Sequence, residues 1–380
     1  MEQDVCAAAE LGVGTLRQVS SEAARRNSYR KPGEPRTRPL YDLADVEDCL
    51  RQVRTVPYEQ AQDVAPGVSV RFGDAGHILG SAWVEVTVRD GSGERVVLFS
   101  GDLGPSGLPM LRDPSLPRRA DVLLLESTYG DRDHRSREAT LRELEAILTT
   151  CSVHGCGKIL IPAFAVGRTQ DLVYEMARLW REKRWPGFPV YIDSPMGAET
   201  TELYRRHTEL FDEETRRLMS DGHSPLGFPY LRVVTTVDGS KRLNESRDPM
   251  VVIAGSGMCN GGRIVHHLRH ALPLPDTQVA IVGYQGRGTL GRRLVDGQKR
   301  VRIHGEEVTV RAKIHTLGGF SAHAGQSQLV SWAMALKERP GRVILTHGEP
   351  GPRDALATRL AREWGVSCEK PMLGDVVEIG

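Results

Sequence analysis

No excess of either charge marks this chain, in which 50 basic side chains stand against 49 acidic ones across 380 residues. A polyanionic partner would therefore have to be drawn by a local pocket rather than by the field of the whole molecule. Long apolar runs are missing too. None approaches the roughly 18 residues that a membrane helix needs, and no membrane span is expected. The six cysteines (Cys6, Cys49, Cys151, Cys156, Cys259 and Cys368) form no Cys-x-x-Cys pair and follow no secretory signal. That pattern leads to the expectation of a reduced, cytoplasmic protein. Internal repeats and low-complexity tracts are absent as well. The remaining composition, 39% hydrophobic and 26% charged, is that of an ordinary globular protein, and the length favours two domain-sized lobes over one small core.

What is present is a recurring unit: a short apolar run that ends abruptly in a glycine, a carboxylate, a proline or a histidine. Val96 to Phe99 precedes Ser100-Gly101-Asp102, Val122 to Leu125 precedes Glu126, and Ile159 to Ile161 precedes Pro162. Val190 to Ile192 precedes Asp193, Val251 to Ala254 precedes Gly255, and Val343 to Leu345 precedes Thr346-His347. Unbroken apolar runs suit strands buried on both faces, and α/β proteins gather ligands at the carboxyl ends of such strands. Amphipathic helices are expected between them, at Ser136 to Cys151 and at Asp354 to Trp364 with Gly365 as a stop. Val68 to Phe99 differs, because Val84, Val86 and Val88 alternate with polar residues and Asp90-Gly91-Ser92-Gly93 supplies a hairpin turn. Arg25 to Arg38, charged and without an apolar period, reads as an exposed connection.

The histidine of Gly76-His77-Ile78-Leu79-Gly80-Ser81 and the aspartate of Ser100-Gly101-Asp102-Leu103-Gly104 are each flanked by glycines. Either can reach into a shared cleft as a metal ligand, or simply satisfy its own turn. His347 carries the same two readings. Gly255-Ser256-Gly257-Met258 leads into a helix start at Arg263, so it reads as an anion pocket completed by Arg263 or as a plain strand-to-helix turn. His266, His267 and His270 invite a metal reading, but no carboxylate partner is evident nearby, and a solvated or phosphate-facing helix surface is expected. Arg287 to Arg302 reads as an exposed basic hairpin.

Read in order, Gly76-His77 with Gly80-Ser81, Gly101-Asp102, Glu126-Ser127-Thr128-Tyr129-Gly130-Asp131, Asp193-Ser194-Pro195-Met196, Gly255-Ser256-Gly257-Met258, Ser321-Ala322-His323-Ala324-Gly325 and Thr346-His347-Gly348 form one series. From about Leu40 onward this series resembles the β-CASP branch of metallo-β-lactamase-fold nucleases, which includes the cleavage-and-polyadenylation endonuclease and its bacterial relatives. The resemblance implies an α/β fold, a metallo-β-lactamase αββα sandwich incomplete at its amino terminus with an inserted α/β β-CASP domain. Residues 1–135 would form the partial first domain, 136–265 the insertion, and 266–380 the return to the first domain with an RNA-specificity segment. It also implies that His77 binds one zinc, Asp102 bridges two zincs, and His347 binds the second. Glu126 would orient His323, and His323 would protonate or stabilise the leaving oxygen. Ser256, Gly257, Met258, Arg263 and Ser321 are the expected phosphate contacts. Two zincs can activate water and clamp the oxygens of an in-line displacement at phosphorus, and a carboxylate paired to an imidazole helps it keep the proton it must donate.

One feature of that family is missing: no His-x-His-x-Asp-His string occurs anywhere in the sequence. Of the family's protein ligands, His77, Asp102 and His347 remain, two per zinc with Asp102 counted twice, where catalytic zinc normally holds about three. Cys6 to Arg26 resembles the helix that follows the missing motif, and Pro39-Leu40-Tyr41 the next helix entry. An amino-terminal truncation, in the gene model or in the gene, is the expectation. The expected function is therefore a zinc-dependent ribonuclease acting on single-stranded RNA, impaired in this chain. The competing expectation is a non-catalytic RNA-binding or scaffold subunit, as a homodimer or paired with a homologue.

Overall fold

The structure, a computed structural model, describes residues 41–91, 93–154 and 157–378. The helix expected over Cys6 to Arg26 and the connection expected over Arg25 to Arg38 lie outside these residues. The first described element is α1 (Leu43–Gln52), where the Asp42 side chain accepts from the amides of Ala44 and Asp45 while Asp45 reaches back to the Asp42 amide. This reciprocal cap satisfies donors that a helix start leaves open.

Strands β1 (Gln62–Ala65), β2 (Val68–Asp74), β3 (Ala82–Asp90) and β4 (Gly93–Phe99) run antiparallel in sequence order, and Asp90 pairs with Gly93 at the expected hairpin. From β4 the sheet turns parallel. β5 (Val122–Glu126) lies beside β4, then β14 (Arg342–Thr346) and β15 (Cys368–Glu369) follow, giving seven strands in the order β1-β2-β3-β4-β5-β14-β15. Leu98, Leu123, Leu125, Val343 and Leu345 bury one face against α9 (Gln326–Met334) and α10 (Pro350–Trp364), with Gly365 closing α10 in the left-handed conformation. On the opposite face Val97, Val122 and Ile344 form a smaller cluster.

Between β5 and β14 the chain builds a second sheet. It is wholly parallel, in the order β13-β10-β6-β9-β7-β8, from β6 (Lys158–Pro162), β7 (Val190–Ile192), β8 (Leu231–Val233), β9 (Met250–Ala254), β10 (Gln278–Ile281) and β13 (Lys313–Thr316). Alternate residues serve opposite cores. Ile159, Ile161, Val251 and Ile253 pack with α2 (Arg137–His154) and α3 (Arg168–Arg181). Leu160, Val252, Val279 and Ile281 pack with α7 (Arg263–Ala271) and α8 (Leu290–Val295). Burial on both sides is why these strands read as continuous apolar runs. Helices α4 (Pro195–Arg206), α5 (Glu213–Ser220) and α6 (Val237–Glu245) and the hairpin of β11 (Arg300–Ile303) and β12 (Glu306–Thr309) complete the lobe.

Three expectations are corrected. The insertion does not end at residue 265, because β10 and β13 belong to its sheet and the first sheet resumes only at β14. Arg287 to Arg302 is not a hairpin: α8 occupies its middle with Leu290 and Leu294 buried, and the hairpin begins at Arg300. Finally, Cys151 is disulfide-bonded, while Cys49, Cys259 and Cys368 are free. Sequence spacing does not report which thiols a fold brings within bonding distance. Among the described residues no helix is long and apolar enough to cross a membrane.

Candidate active site

The register of the first sheet converts distant motifs into neighbours. Glu126 ends β5 directly opposite Thr346 at the end of β14, so Thr128 and His347 emerge side by side. Ser127 Oγ donates to the Thr346 carbonyl at 2.6 Å, and Thr128 Oγ1 lies 3.1 Å from His347 Nδ1. His347 itself is left-handed, with φ 46°, an uncommon backbone state for a residue with a side chain. β4 delivers Asp102, and Ser100 Oγ accepts the Glu126 amide at 2.9 Å, tying the ends of β4 and β5 together. His77 sits in the turn between β2 and β3. That turn crosses the Asp102 loop so closely that a Cβ on Gly104 would lie 1.8 Å from the Gly76 carbonyl oxygen, which only glycine permits.

These loops converge with Ser321-Ala322-His323. His77 Nε2 is 3.8 Å from Asp102 Oδ2, and His347 Nδ1 is 3.3 Å from Asp102 Oδ1. His77 Nδ1 donates to the Ala322 carbonyl at 2.9 Å, which turns Nε2 toward Asp102. The ring centroids of His77 and His323 are 4.5 Å apart, and those of His323 and His347 5.7 Å. His323 Nδ1 donates to Glu126 Oε1 at 3.1 Å, and Glu126 also accepts from the amides of Leu103 at 2.7 Å and Thr128 at 3.2 Å. Burial alone would push the Glu126 carboxyl up, but the His323 hydrogen bond and charge and the amide donors hold it below the ordinary carboxylate value. Burial would likewise push His323 down, yet Glu126 outweighs it and the imidazole is raised above the ordinary histidine value. His77, buried without an equivalent partner and repelled by His323, is lowered.

Around this cluster lies a cavity of about 630 Å³, lined by His77, Asp102, Thr128, Ser321, His323 and His347 on one side and by residues of the inserted lobe on the other. Residues 169–294 match the family model of the Beta-Casp domain, and residues 307–371 that of the Zn-dependent metallo-hydrolase RNA specificity domain. Over 323 residues the chain is 44% identical to ribonuclease TTHA0252 of Thermus thermophilus, a match covering 85% of this chain and 72% of that protein. It is 32% identical over 355 residues to transcription termination factor FttA of Pyrococcus horikoshii, covering 90% of this chain and 53% of that factor. FttA of Thermococcus kodakarensis matches to the same degree, again over 53% of its length.

The chain belongs to the β-CASP family of metallo-β-lactamase-fold RNA nucleases. In β-CASP terms, the seven-stranded sheet with α9 and α10 is the metallo-β-lactamase part, and the parallel sheet is the insertion. The family is metal-dependent, with zinc named in the matching specificity domain. Among the described residues the donor atoms do not complete two zinc sites. His77 Nε2 and His347 Nδ1 approach different oxygens of Asp102, which would leave an ion at either oxygen two protein donors where a catalytic zinc takes about three. Groups that do fall within ligand range of one another here both include His323: His77 with Asp102 and His323, and Glu126 with His323 and His347.

The expected phosphate contacts divide. Ser321 and Met258 line the β-CASP cavity. Ser256, by contrast, turns inward, its Oγ accepting the amides of Asn260 at 3.1 Å and Gly261 at 3.2 Å, which closes the turn on itself. Gly257 packs under the Phe164 ring. Arg263 is directed away, its Nη1 2.6 Å from Asp193 Oδ1 and 2.9 Å from the Val234 carbonyl, so it is spent on internal structure. The same Asp193 is the carboxylate partner not foreseen for His267, at 2.6 Å from Nε2, and His267 is buried rather than solvated.

Arg168, unlike Arg263, borders the cavity, a buried guanidinium with Nη1 2.7 Å from Asp171. The sequence reading missed it, although it opens α3 shortly after the carboxyl end of β6, where the strand-end rule directs attention. Also missed were Thr128, which touches His347, and His134, whose Nε2 donates to the His323 carbonyl at 2.8 Å.

Proposed function

We propose that this chain carries the RNA-handling and proton-donating half of a zinc-dependent phosphodiesterase that cleaves single-stranded RNA, and that its cleavage is impaired as the chain stands. One observation supports the reading above others: His77, Asp102, His323 and His347 line one cavity, with His323 hydrogen-bonded to a buried Glu126. In this proposal Glu126 keeps the proton on His323 Nδ1, and the other ring nitrogen donates to the departing oxygen of the cleaved ester. A positioned acid of this kind contributes about 10²–10⁴-fold. Ser321 and Arg168 are the groups at hand to hold the phosphate. His77, Asp102 and His347 are the side chains left for metal, and no step is assigned to them.

Purified chain, labelled single-stranded RNA and excess zinc test this. The expected outcome is RNA binding with slow cleavage that drops at least about a hundredfold in His323→Ala. Absence of RNA binding, or cleavage indifferent to His323→Ala, would refute it. The shortage of zinc ligands favours a second reading, a non-catalytic RNA-binding subunit acting as a homodimer or beside an active homologue. RNA binding with no cleavage at any zinc concentration selects that reading.

A further inference from the structure

The cavity has a wall that phosphate chemistry does not require. Lining it with His323, Ser321 and Thr128 are Phe164, Val166, Met196 and Met258 of the inserted lobe and Ile78 of the turn between β2 and β3, an apolar surface. Phe164 is the exposed member, with 47% of its surface accessible. It is nonetheless fixed. Its carbonyl accepts both the Oγ1 of Thr169 at 2.7 Å and the Thr169 amide at 3.3 Å, anchoring the loop after β6 to the first turn of α3. One face of the ring is backed by Gly257, where an added Cβ would lie 2.6 Å from a ring carbon. Gly257 therefore has a role other than the anion pocket expected of its turn: it makes room for an aromatic plate.

An aromatic ring held from behind, exposed in front and sharing a cavity with an acid–base pair is suited to a flat, weakly polar ligand covalently continuous with a phosphate. We propose that Phe164, with Met258 beside it, forms a nucleobase subsite that stacks the base of a nucleotide adjoining the cleaved phosphate. This inference rests on the RNA reading above and deepens it. Stacking uses the π face that every base has, so the subsite is tolerant of sequence. It requires an unstacked, unpaired base, so it selects single strands over duplex.

The test is binding of fluorescent eight-nucleotide RNAs by fluorescence anisotropy, with oligo-U and oligo-A in parallel and an abasic ribose moved along each. Phe164→Ala is expected to weaken both RNAs about tenfold or more, with Phe164→Trp retaining affinity. Gly257→Ala should imitate Phe164→Ala by displacing the ring. At one abasic position the wild-type chain should lose the same factor, while Phe164→Ala loses nothing further. Equal binding by Phe164→Ala and wild type, or additive losses at every abasic position, overturns the subsite while leaving the RNA reading standing. If the wild-type chain binds none of the RNAs, the RNA reading fails and the subsite falls with it.

Discussion

Glu126 and His323 expose 1% and 17% of their side chains, whereas Asp102 and His347, beside them in the same site, expose 38% and 58%. The enclosed pair is held by amides of Leu103 and Thr128 and by the His134 contact behind His323, all supplied by the fold itself. The open pair has each other, Thr128 beside His347 and His77 beside Asp102. The His323–Glu126 pair is thus held by the fold's own amides, while Asp102 and His347 are held by fewer contacts. The comparison teaches that the fold can fix one pair of side chains firmly while its neighbours in the same site stay open to solvent.

The sharpest way to break this contrast is to truncate one carboxylate from each end. Glu126→Ala strands two buried amides and a buried imidazole, and should destabilise the chain by about 3–5 kcal/mol in urea unfolding. Asp102→Ala should stay within about 0.5 kcal/mol. Similar losses for the two variants would remove the distinction.

A smaller effect is expected on metal. Zinc titration followed by calorimetry should find fewer than two ions per chain, since His77 with Asp102 and His347 with Asp102 would each offer an ion two protein donors. Thr128→Val, which removes the hydroxyl on His347, should weaken whatever binding remains about 10–100-fold. Two tightly held zincs in the unaltered chain would show that the open end is complete after all.

The smallest effect concerns pH. His323 is raised above its ordinary value of 6.5, so its contribution to stability is full below that value and disappears as the pH climbs through the raised one. Glu126 is lowered from 4.5, so its contribution is full above that value and disappears as the pH falls through the lowered one. In metal-free protein the pair should therefore stabilise most between about pH 4.5 and 6.5, the two ordinary values. Urea unfolding across pH checks this: His323→Ala should lose most stability in that interval, and a loss constant from pH 4 to 9 would contradict it.

Much of this arrangement was legible because burial leaves a pattern in the chain. Ile159 to Ile161 and Val251 to Ala254 read as doubly covered strands since neighbouring residues feed opposite cores, and the residues closing Val96 to Phe99, Val122 to Leu125 and Val343 to Leu345 led to Asp102, Glu126 and His347. Polar partnerships across long separations left no such pattern. Arg263 followed a glycine-rich turn like an anion ligand, yet Asp193, 70 residues earlier, takes it. His267 lacked a partner only because Asp193 is distant in the chain. The lobe boundary was misplaced because β10 and β13 differ from first-sheet strands only in what they pair with, which no local composition encodes.

Imidazole resonances give the most direct test that these side chains share one site. In ¹H–¹⁵N spectra, zinc should shift His77 and His347 together, and single-stranded RNA added afterwards should shift His323. Signals of His266 and His304, whose rings pack against each other at a tilt and do not line the cavity, should stay in place. If RNA moves His266 and His304 while His323 does not respond, the cavity is not where this protein meets RNA.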